Sequence, residues 1–202
     1  MKYRDGRTIR RKLVSLAASQ GGYFTAQQAA ELDFDRRRLG YHVDAGNFER
    51  AGHGVYRVVT LPTSEHDDLI RLSLWSRGRN DEPQAVVSHE SALALHDLSE
   101  IIPGKVHLTV PRSFRKRPPR GCVLHKSAIT AGDTEEWNGF RITTPLRTLT
   151  DAATSPSVPQ EQLERAVEDA LERGLVRKSQ LSKAQADSPV LQRLSRIVSS
   201  GR

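Results

Sequence analysis

The sequence predicts an α+β fold, in which an N-terminal winged helix-turn-helix precedes a mixed α/β domain with a small sheet and several helices. Three observations predict it. The first 58 residues follow the order helix, helix, arginine-rich helix and β-hairpin, and helical and β-like segments then mix as far as about residue 180. The 202 residues, 37% of them hydrophobic, suit two modest cores better than one large core. We expect domains over residues 1–60 and 65–180, and a polar tail or short helix over 181–202.

The charge of the chain is concentrated near its N-terminus. The formal net charge is +7, and residues 1–58 hold 11 basic and 6 acidic side chains, whereas residues 59–156 are neutral overall. A basic excess in one segment indicates a polyanionic partner, most often nucleic acid. We find neither an apolar run long enough to cross a membrane nor a secretory signal, and the single Cys122 excludes a disulfide framework. We therefore expect a cytoplasmic protein.

The first two helices are predicted from apolar spacing and from capping residues. Leu13, Leu16 and Ala17 lie on one face of a helix over residues 10–19, which a pair of glycines ends. Thr25 and Gln28 then have the spacing of a capping box, in which a hydroxyl and an amide satisfy free backbone groups. A short second helix over residues 26–32 follows from it.

The third helix and the hairpin after it complete the motif. Asp35 is a good N-cap for a helix that runs to about residue 45, with Leu39 and Val43 on its buried stripe. Gly46 is the expected stop. Two β-like runs, over residues 48–51 and 55–59, are joined by a Gly-His-Gly turn that permits positive φ values.

This order of elements suits DNA, because the N-terminal half of the third helix can enter a major groove while the hairpin lies on the phosphate backbone. Arginine donates bidentately to guanine O6 and N7 in that groove. Three consecutive arginines are also typical of a solvated helix face, and winged helices also act as protein–protein adaptors. The side chains that we expect at DNA are Arg36, Arg37, Arg38, Tyr41 and His42 on the helix, and Arg50, His53 and Arg57 on the hairpin.

The remaining chain is predicted to form a second mixed domain. Ser88 is expected to cap a helix, and Pro145 is expected to open another at its first position. The predicted helices cover residues 65–76, 89–97, 160–173 and the segment that starts at 145; the predicted strands cover residues 84–87, 106–110, 122–125 and 140–143.

No catalytic constellation is evident in this second domain, and we expect neither enzymatic activity nor a cofactor. Ser88 and His89 are adjacent, but no Gly-x-Ser-x-Gly turn surrounds them. His89 and His96 lie seven residues apart without a third ligand, so we expect no metal site. A glycine-rich phosphate loop and the acidic pattern of a metal-dependent nuclease are both missing.

A run of five cations in nine residues follows the strand at 106–110. It contains two adjacent prolines, which favour an exposed, extended loop. Two interpretations stay open: a solubilising loop, or a second basic surface that binds phosphates and adds affinity without reading sequence. Its cations are Arg112, Arg115, Lys116, Arg117 and Arg120.

Several separated motifs resemble AbiEi-family antitoxins over about residues 8–180. The N-terminal match runs from Gly22-Tyr-Phe-Thr-Ala-Gln-Gln-Ala to Gly54-Val-Tyr-Arg57. The second-domain match comprises Ser88-His-Glu-Ser-Ala-Leu-Ala-Leu-His96, Val106-His-Leu-Thr-Val-Pro111 and Thr143-Thr-Pro-Leu-Arg-Thr-Leu149. The motifs occur in the family's order, which makes the resemblance more specific than any one of them.

The resemblance implies an antitoxin of a type IV toxin–antitoxin system of the kind tied to phage defence by abortive infection. Its winged helix would bind double-stranded DNA at inverted repeats in its own operon promoter and repress transcription, with two copies side by side. Its second domain would counteract a nucleotidyltransferase toxin, in type IV systems without a stable complex. Direct binding of the toxin and a stand-alone transcriptional regulator stay open as alternatives.

The chain departs from many related proteins in its length. Those proteins continue beyond the position of Gly174 into a nuclease-like domain, whereas this chain ends at Arg202. We therefore expect no such domain here, in keeping with the expected lack of catalysis.

Overall fold

The computed structural model describes residues 6–78, 80–100, 102–137, 139–186 and 193–194. It divides the chain into two compact units. The first comprises Met1–Ala85 with Glu136–Phe140, and the second comprises Val86–Glu135 with Arg141–Arg202. The helix predicted over residues 65–76 therefore lies in the first unit, whereas the sequence-based boundary assigned it to the second.

The first unit contains the predicted helix, helix, helix and hairpin. Its helices are α1 (Gly6–Ala18), α2 (Ala26–Glu31), α3 (Arg36–Asp44) and α4 (Asp67–Trp75), and its strands are β1 (Tyr23–Thr25), β2 (Phe48–Gly52) and β3 (Val55–Val58). The capping box at Thr25 and Gln28 and the Asp35 N-cap are both confirmed. Strand β1 is a difference from the prediction, because it pairs with β3 and makes a three-stranded antiparallel sheet in the order β1-β3-β2.

Phe24 lies at the centre of the core of the first unit. It is fully buried, its ring meets Phe48 edge-on at 5.1 Å between centroids, and it stacks on Tyr56 at 5.7 Å. Leu13 of α1 and Leu39 of α3 belong to the same buried cluster. Because α1, α2 and α3 each contribute to this cluster, the direction in which α3 faces is set by the apolar side chains beneath it.

The five-stranded sheet has the order β6-β5-β4-β8-β7, with β5 parallel to β6 and β4 parallel to β8. Its strands are β4 (Val86–Val87), β5 (Val106–Val110), β6 (Cys122–Lys126), β7 (Thr134–Trp137) and β8 (Phe140–Thr143). Strand β7 was not predicted. Parallel strands normally need a crossover helix, but here an irregular segment over residues 111–121, the predicted cationic loop, connects β5 to β6.

The helices of the second unit are α5 (His89–Leu95), α6 (Pro145–Thr154), α7 (Gln160–Glu172) and α8 (Lys178–Ala186). Leu93, Leu149, Leu163 and Leu181, one from each, meet in a single buried cluster. Pro145 opens α6 as predicted. Ser88 holds the N-cap position of α5, but its side chain makes no capping hydrogen bond. Of the predicted tail, α8 includes the first residues, and most of residues 187–202 lie outside the described part of the chain.

Candidate nucleic-acid interface

Helix α3 presents a cationic surface on its first turns. Arg36, Arg37 and Arg38 are all exposed, and Tyr41, one turn further on, has 68% of its surface accessible. The start of α3 therefore combines three guanidinium groups and one aromatic ring, which is the chemistry that reads base edges and phosphates.

The orientation of this surface follows from the residues around it. Asp35 Oδ1 accepts a hydrogen bond from the backbone N–H of Arg38 at 2.8 Å, which fixes the first turn. Leu39 is 3% exposed and anchors the opposite face of the helix. The side chains of all three arginines are exposed, so they face solvent and not the core.

His42 is the predicted contact on α3 that the structure places differently. Its ring is half-buried and packs between Phe34 and Phe48, with centroids at 5.3 and 5.1 Å. Burial, together with the charge of Arg10, lowers the pKa of His42, so the ring is neutral near pH 7. His42 therefore supports α3 from below, and we do not count it among the surface contacts.

The hairpin between β2 and β3 forms the wing. Arg50 and His53 are exposed, and the Arg50 guanidinium lies 6.0 Å from the centre of the Tyr56 ring. Gly54 adopts φ +71°, as the predicted turn requires, and its carbonyl accepts a hydrogen bond from the Ala26 N–H at the start of α2. The wing is therefore tied to the helices, and it presents one arginine and one histidine.

Arg57 does not lie on the surface of the wing, which corrects the prediction of a DNA contact. The residue is 8% exposed, it donates to the Leu61 carbonyl at 2.6 Å, and it pairs with Glu49 at 3.4 Å. The cause is β1, which makes β3 the central strand and encloses Arg57 between its neighbours and the chain that leaves the wing.

Substitutions at the two wing arginines separate these roles. We expect Arg57→Ala to lower the free energy of unfolding by about 1–3 kcal/mol, because it removes the charge-assisted hydrogen bond that the buried Arg57 donates to the Leu61 carbonyl. We expect Arg50→Ala to change stability by less than about 1 kcal/mol, since it removes only an exposed cation–π interaction. Guanidinium unfolding of both variants measures the difference. Equal stability losses would contradict the placement of Arg57.

The cationic loop between β5 and β6 exposes every one of its predicted charges: Arg112, Arg115, Lys116, Arg117 and Arg120. Phe114, only 3% exposed, anchors the loop, and its N–H bonds to the Pro111 carbonyl at 2.9 Å. Gly121, at φ +77°, returns the chain to β6. The loop is thus held at both ends while its cations face solvent.

One cation near α3 was not singled out from the sequence. Arg10 of α1 is exposed, and its guanidinium lies 3.4 Å from Asn47 Oδ1, just beyond the end of α3. In the sequence it belongs to the ordinary polar face of an amphipathic helix. Only the packing of α1 against the other elements of this unit brings it to the candidate interface.

Comparison with known proteins supports DNA binding by the first unit in general. Residues 11–59 match the family described as "Transcriptional regulator, AbiEi antitoxin", so the resemblance is confirmed over these residues, from within α1 to the end of the wing. That description names a regulator and not an enzyme. The match to an antitoxin regulator supports DNA binding in general. No curated protein matches the chain.

A solved structure supports the fold of the whole chain. The crystal structure of the RV2827C protein from Mycobacterium tuberculosis is similar with a TM-score of 0.62 and 18% sequence identity, covering 96% of this chain and 77% of that one. At this identity the likeness concerns the fold alone, and it agrees with the predicted α+β class. Within the part of the chain that the structure describes, no helix has the length and apolarity of a membrane span.

Proposed function

We propose that this protein is a DNA-binding antitoxin of a type IV toxin–antitoxin system, which represses its own operon and counteracts a nucleotidyltransferase toxin. The observation that carries the proposal is the exposed cluster of Arg36, Arg37, Arg38 and Tyr41 at the start of α3. It lies within the segment that matches an antitoxin regulator family. A promoter-binding protein acts where the DNA is, so we also propose a cytoplasmic location.

The geometry of the first unit supports a winged-helix mode of binding. The first turns of α3 would enter the major groove, and Arg50 and His53 on the wing would contact the adjacent backbone. Promoters read in this way usually contain inverted repeats one helical turn apart, with one copy of the protein on each. We propose two copies on such a site.

A footprint of the wild-type protein on the DNA upstream of its own gene tests this directly. Two protected half-sites about 10 base pairs apart, centre to centre, would support the proposal. Protection that covers all DNA equally would contradict sequence-specific repression. Sequencing the neighbouring reading frame adds an independent test, since the proposal requires that it encode a nucleotidyltransferase.

The cationic loop is proposed as a second, sequence-independent phosphate surface. Replacing Arg115, Lys116 and Arg117 with Ala should weaken binding to all DNA sequences alike. The slope of log affinity against log salt should become shallower by about 0.9 for every phosphate that the variant no longer neutralises. Binding measured at several salt concentrations between about 50 and 200 mM gives this slope.

A matched control for the loop removes three exposed cations elsewhere in the second unit: Arg165, Arg177 and Lys178. Because both triple variants lose the same net charge, an unequal effect on the salt slope assigns the phosphate interactions to the loop. Equal slopes in the two variants would leave the loop as a solvated segment and remove this part of the proposal.

The toxin side of the proposal is tested by toxin activity in cells and by passing a mixture of the two purified proteins through a sizing column. Type IV neutralisation predicts that the toxin loses activity in cells that express this chain, while the two proteins elute separately from a sizing column. Co-elution would favour direct binding instead. Promoter binding without any effect on the toxin would favour a stand-alone regulator.

A further inference from the structure

Three histidines from three different elements meet in the second unit, outside the proposed DNA interface. His89 begins α5, His107 lies on β5 and His125 lies on β6. The His89 and His125 rings stack with centroids 3.5 Å apart and planes 14° from parallel. His107 Nδ1 lies 3.1 Å from His125 Nε2. The helix start is thus stacked on the sheet through two imidazole rings.

Two carboxylates flank the histidines. Glu90 Oε2 lies 2.8 Å from His107 Nδ1, and Asp151 Oδ2 of α6 lies 3.9 Å from His89 Nδ1. Asp151 is 8% exposed, and its Oδ2 has no hydrogen-bond partner among the described residues. A buried, unpartnered carboxylate oxygen is unusual. Asp151 Oδ2 faces the His89 ring, which would become positively charged if it took up a proton.

The other polar groups around the cluster hold these carboxylates in place. Arg147 Nε donates to Asp151 Oδ1 at 2.8 Å, and Arg147 also approaches Asp133 at 3.5 Å. The Ser155 and Ser157 hydroxyls donate to Glu90 Oε1. The titratable and charged groups that face the two stacked rings are therefore His107, Glu90, Asp151 and Arg147, with Asp133 behind Arg147.

The backbone adds a sign of strain at the same place. His89 adopts φ +53°, a left-handed conformation that is rare for residues other than glycine. Such conformations are unfavourable and persist only where the surroundings enforce them. Here the enforcing contacts include the hydrogen bond between His89 Nδ1 and Ser88 Oγ at 2.9 Å and the stack on His125.

The arrangement does not fit a metal ion. Within the described residues, no group of three His, Cys, Asp or Glu side chains converges on a point that could hold one. His96, the partner that the sequence offered for His89, instead bonds through Nε2 to the Thr143 carbonyl. The ligand that remains for a cluster of imidazoles and carboxylates is the proton.

The stack requires two neutral rings. Burial lowers the pKa of His89 to about 4 and that of His125 to about 4, and in His125 the neighbouring histidines act in the same direction. Burial opposes ionisation of Glu90, but hydrogen bonds from His107, Ser157 and Ser155 outweigh it and lower its pKa. Burial raises the pKa of Asp151 in spite of Arg147.

We propose that the stacked rings of His89 and His125 form a proton-binding site, with His107, Glu90 and Asp151 around them. While both rings are neutral, the stack holds the start of α5 on β5 and β6. Protonation of the rings releases the start of α5. Two charged imidazoliums at 3.5 Å would repel each other. Acidification therefore opens the second unit at this point. The open state titrates near the ordinary histidine value of 6.5, so the site responds mainly between pH 6.5 and 4.

Amide hydrogen exchange of the full chain tests the proposal, with each rate divided by the intrinsic rate at the same pH. The protection factors of β5 and β6 should fall between pH 7 and pH 5 by about 20-fold for each histidine that becomes accessible on opening. His125→Phe, which keeps a flat ring against His89, and His125→Asn should both flatten this dependence. His53→Gln, on the exposed wing, should leave it unchanged.

Three outcomes would overturn the assignment. One is a set of wild-type protection factors that stay flat between pH 7 and 5. Another is a fall that persists undiminished in both His125 variants. The third is a rise in protection at pH 7 with one equivalent of Zn²⁺, which would assign the cluster to a metal ion. Direct NMR titration of the wild-type imidazoles keeps the test valid if a variant fails to fold, because His89 and His125 should titrate near pH 4.

Discussion

Replacing Arg37 and Arg38 together with Ala is expected to weaken binding to the promoter by at least about 30-fold. Both side chains are exposed on the first turns of α3. A well-placed bidentate contact from arginine to guanine contributes about 1–3 kcal/mol of discrimination. Removing two such interactions costs about 2–6 kcal/mol, so specific binding should fall toward the level of non-specific DNA. Titration of labelled promoter DNA at fixed salt measures the change.

The matched control removes two exposed arginines from the second unit, Arg165 and Arg177. It lowers the net charge by the same amount, so it corrects for the general attraction between a basic protein and DNA. We expect this control to bind the promoter within about twofold of wild type. If both double variants lose affinity equally, charge alone explains the binding and α3 is not the reading helix.

The features of α3 that bear on this prediction are predictable from the sequence because they are local. The Asp35 cap, the buried Leu39 and the stop at Gly46 all act within one or two turns of the helix. Local signals of this kind also predicted β5 and β8 with the bounds that the structure has. The expected DNA contacts on α3 stay a prediction, since exposure shows only that Arg36, Arg37, Arg38 and Tyr41 are accessible.

Long-range pairing explains what the sequence did not reveal. Strand β1 is only three residues long, and it pairs with β3 across about thirty residues of chain. Without β1 the wing would be a two-stranded hairpin with Arg57 on an open face. With β1 in place, Arg57 lies on a central strand and is buried.

The histidine cluster was missed for the same physical reason. His107 and His125 lie 18 residues apart in the sequence, and they meet because the parallel register places His107 opposite Val123 and Thr109 opposite His125. His89 joins them from the start of α5. A spacing rule for metal ligands searches along one helix, so it paired His89 with His96, whose ring instead bonds to the Thr143 carbonyl.

The largest loss of stability is expected from Phe24→Ala. Phe24 is fully buried and contacts both Phe48 and Tyr56, so truncation removes apolar burial and leaves a cavity between β1, β2 and β3. Substitutions of this kind cost about 3–5 kcal/mol. Small domains have total stabilities near the lower end of about 5–15 kcal/mol. We therefore expect a substantial fraction of the first unit to be unfolded at physiological temperature.

Guanidinium unfolding followed by tryptophan fluorescence measures this effect specifically, because Trp75 and Trp137 both belong to the first unit. Phe24→Leu, which keeps most of the buried volume, should lower the free energy of unfolding by less than half as much.

The α3 variant and the Phe24 variant together separate folding from recognition. Arg37→Ala with Arg38→Ala should lose promoter binding at wild-type stability, since neither side chain is buried. Phe24→Ala should lose binding in proportion to its unfolded fraction, and added promoter DNA should raise its unfolding midpoint because DNA binds only the folded state. A Phe24→Ala variant of wild-type stability would contradict the aromatic core as the support of α3 and the wing.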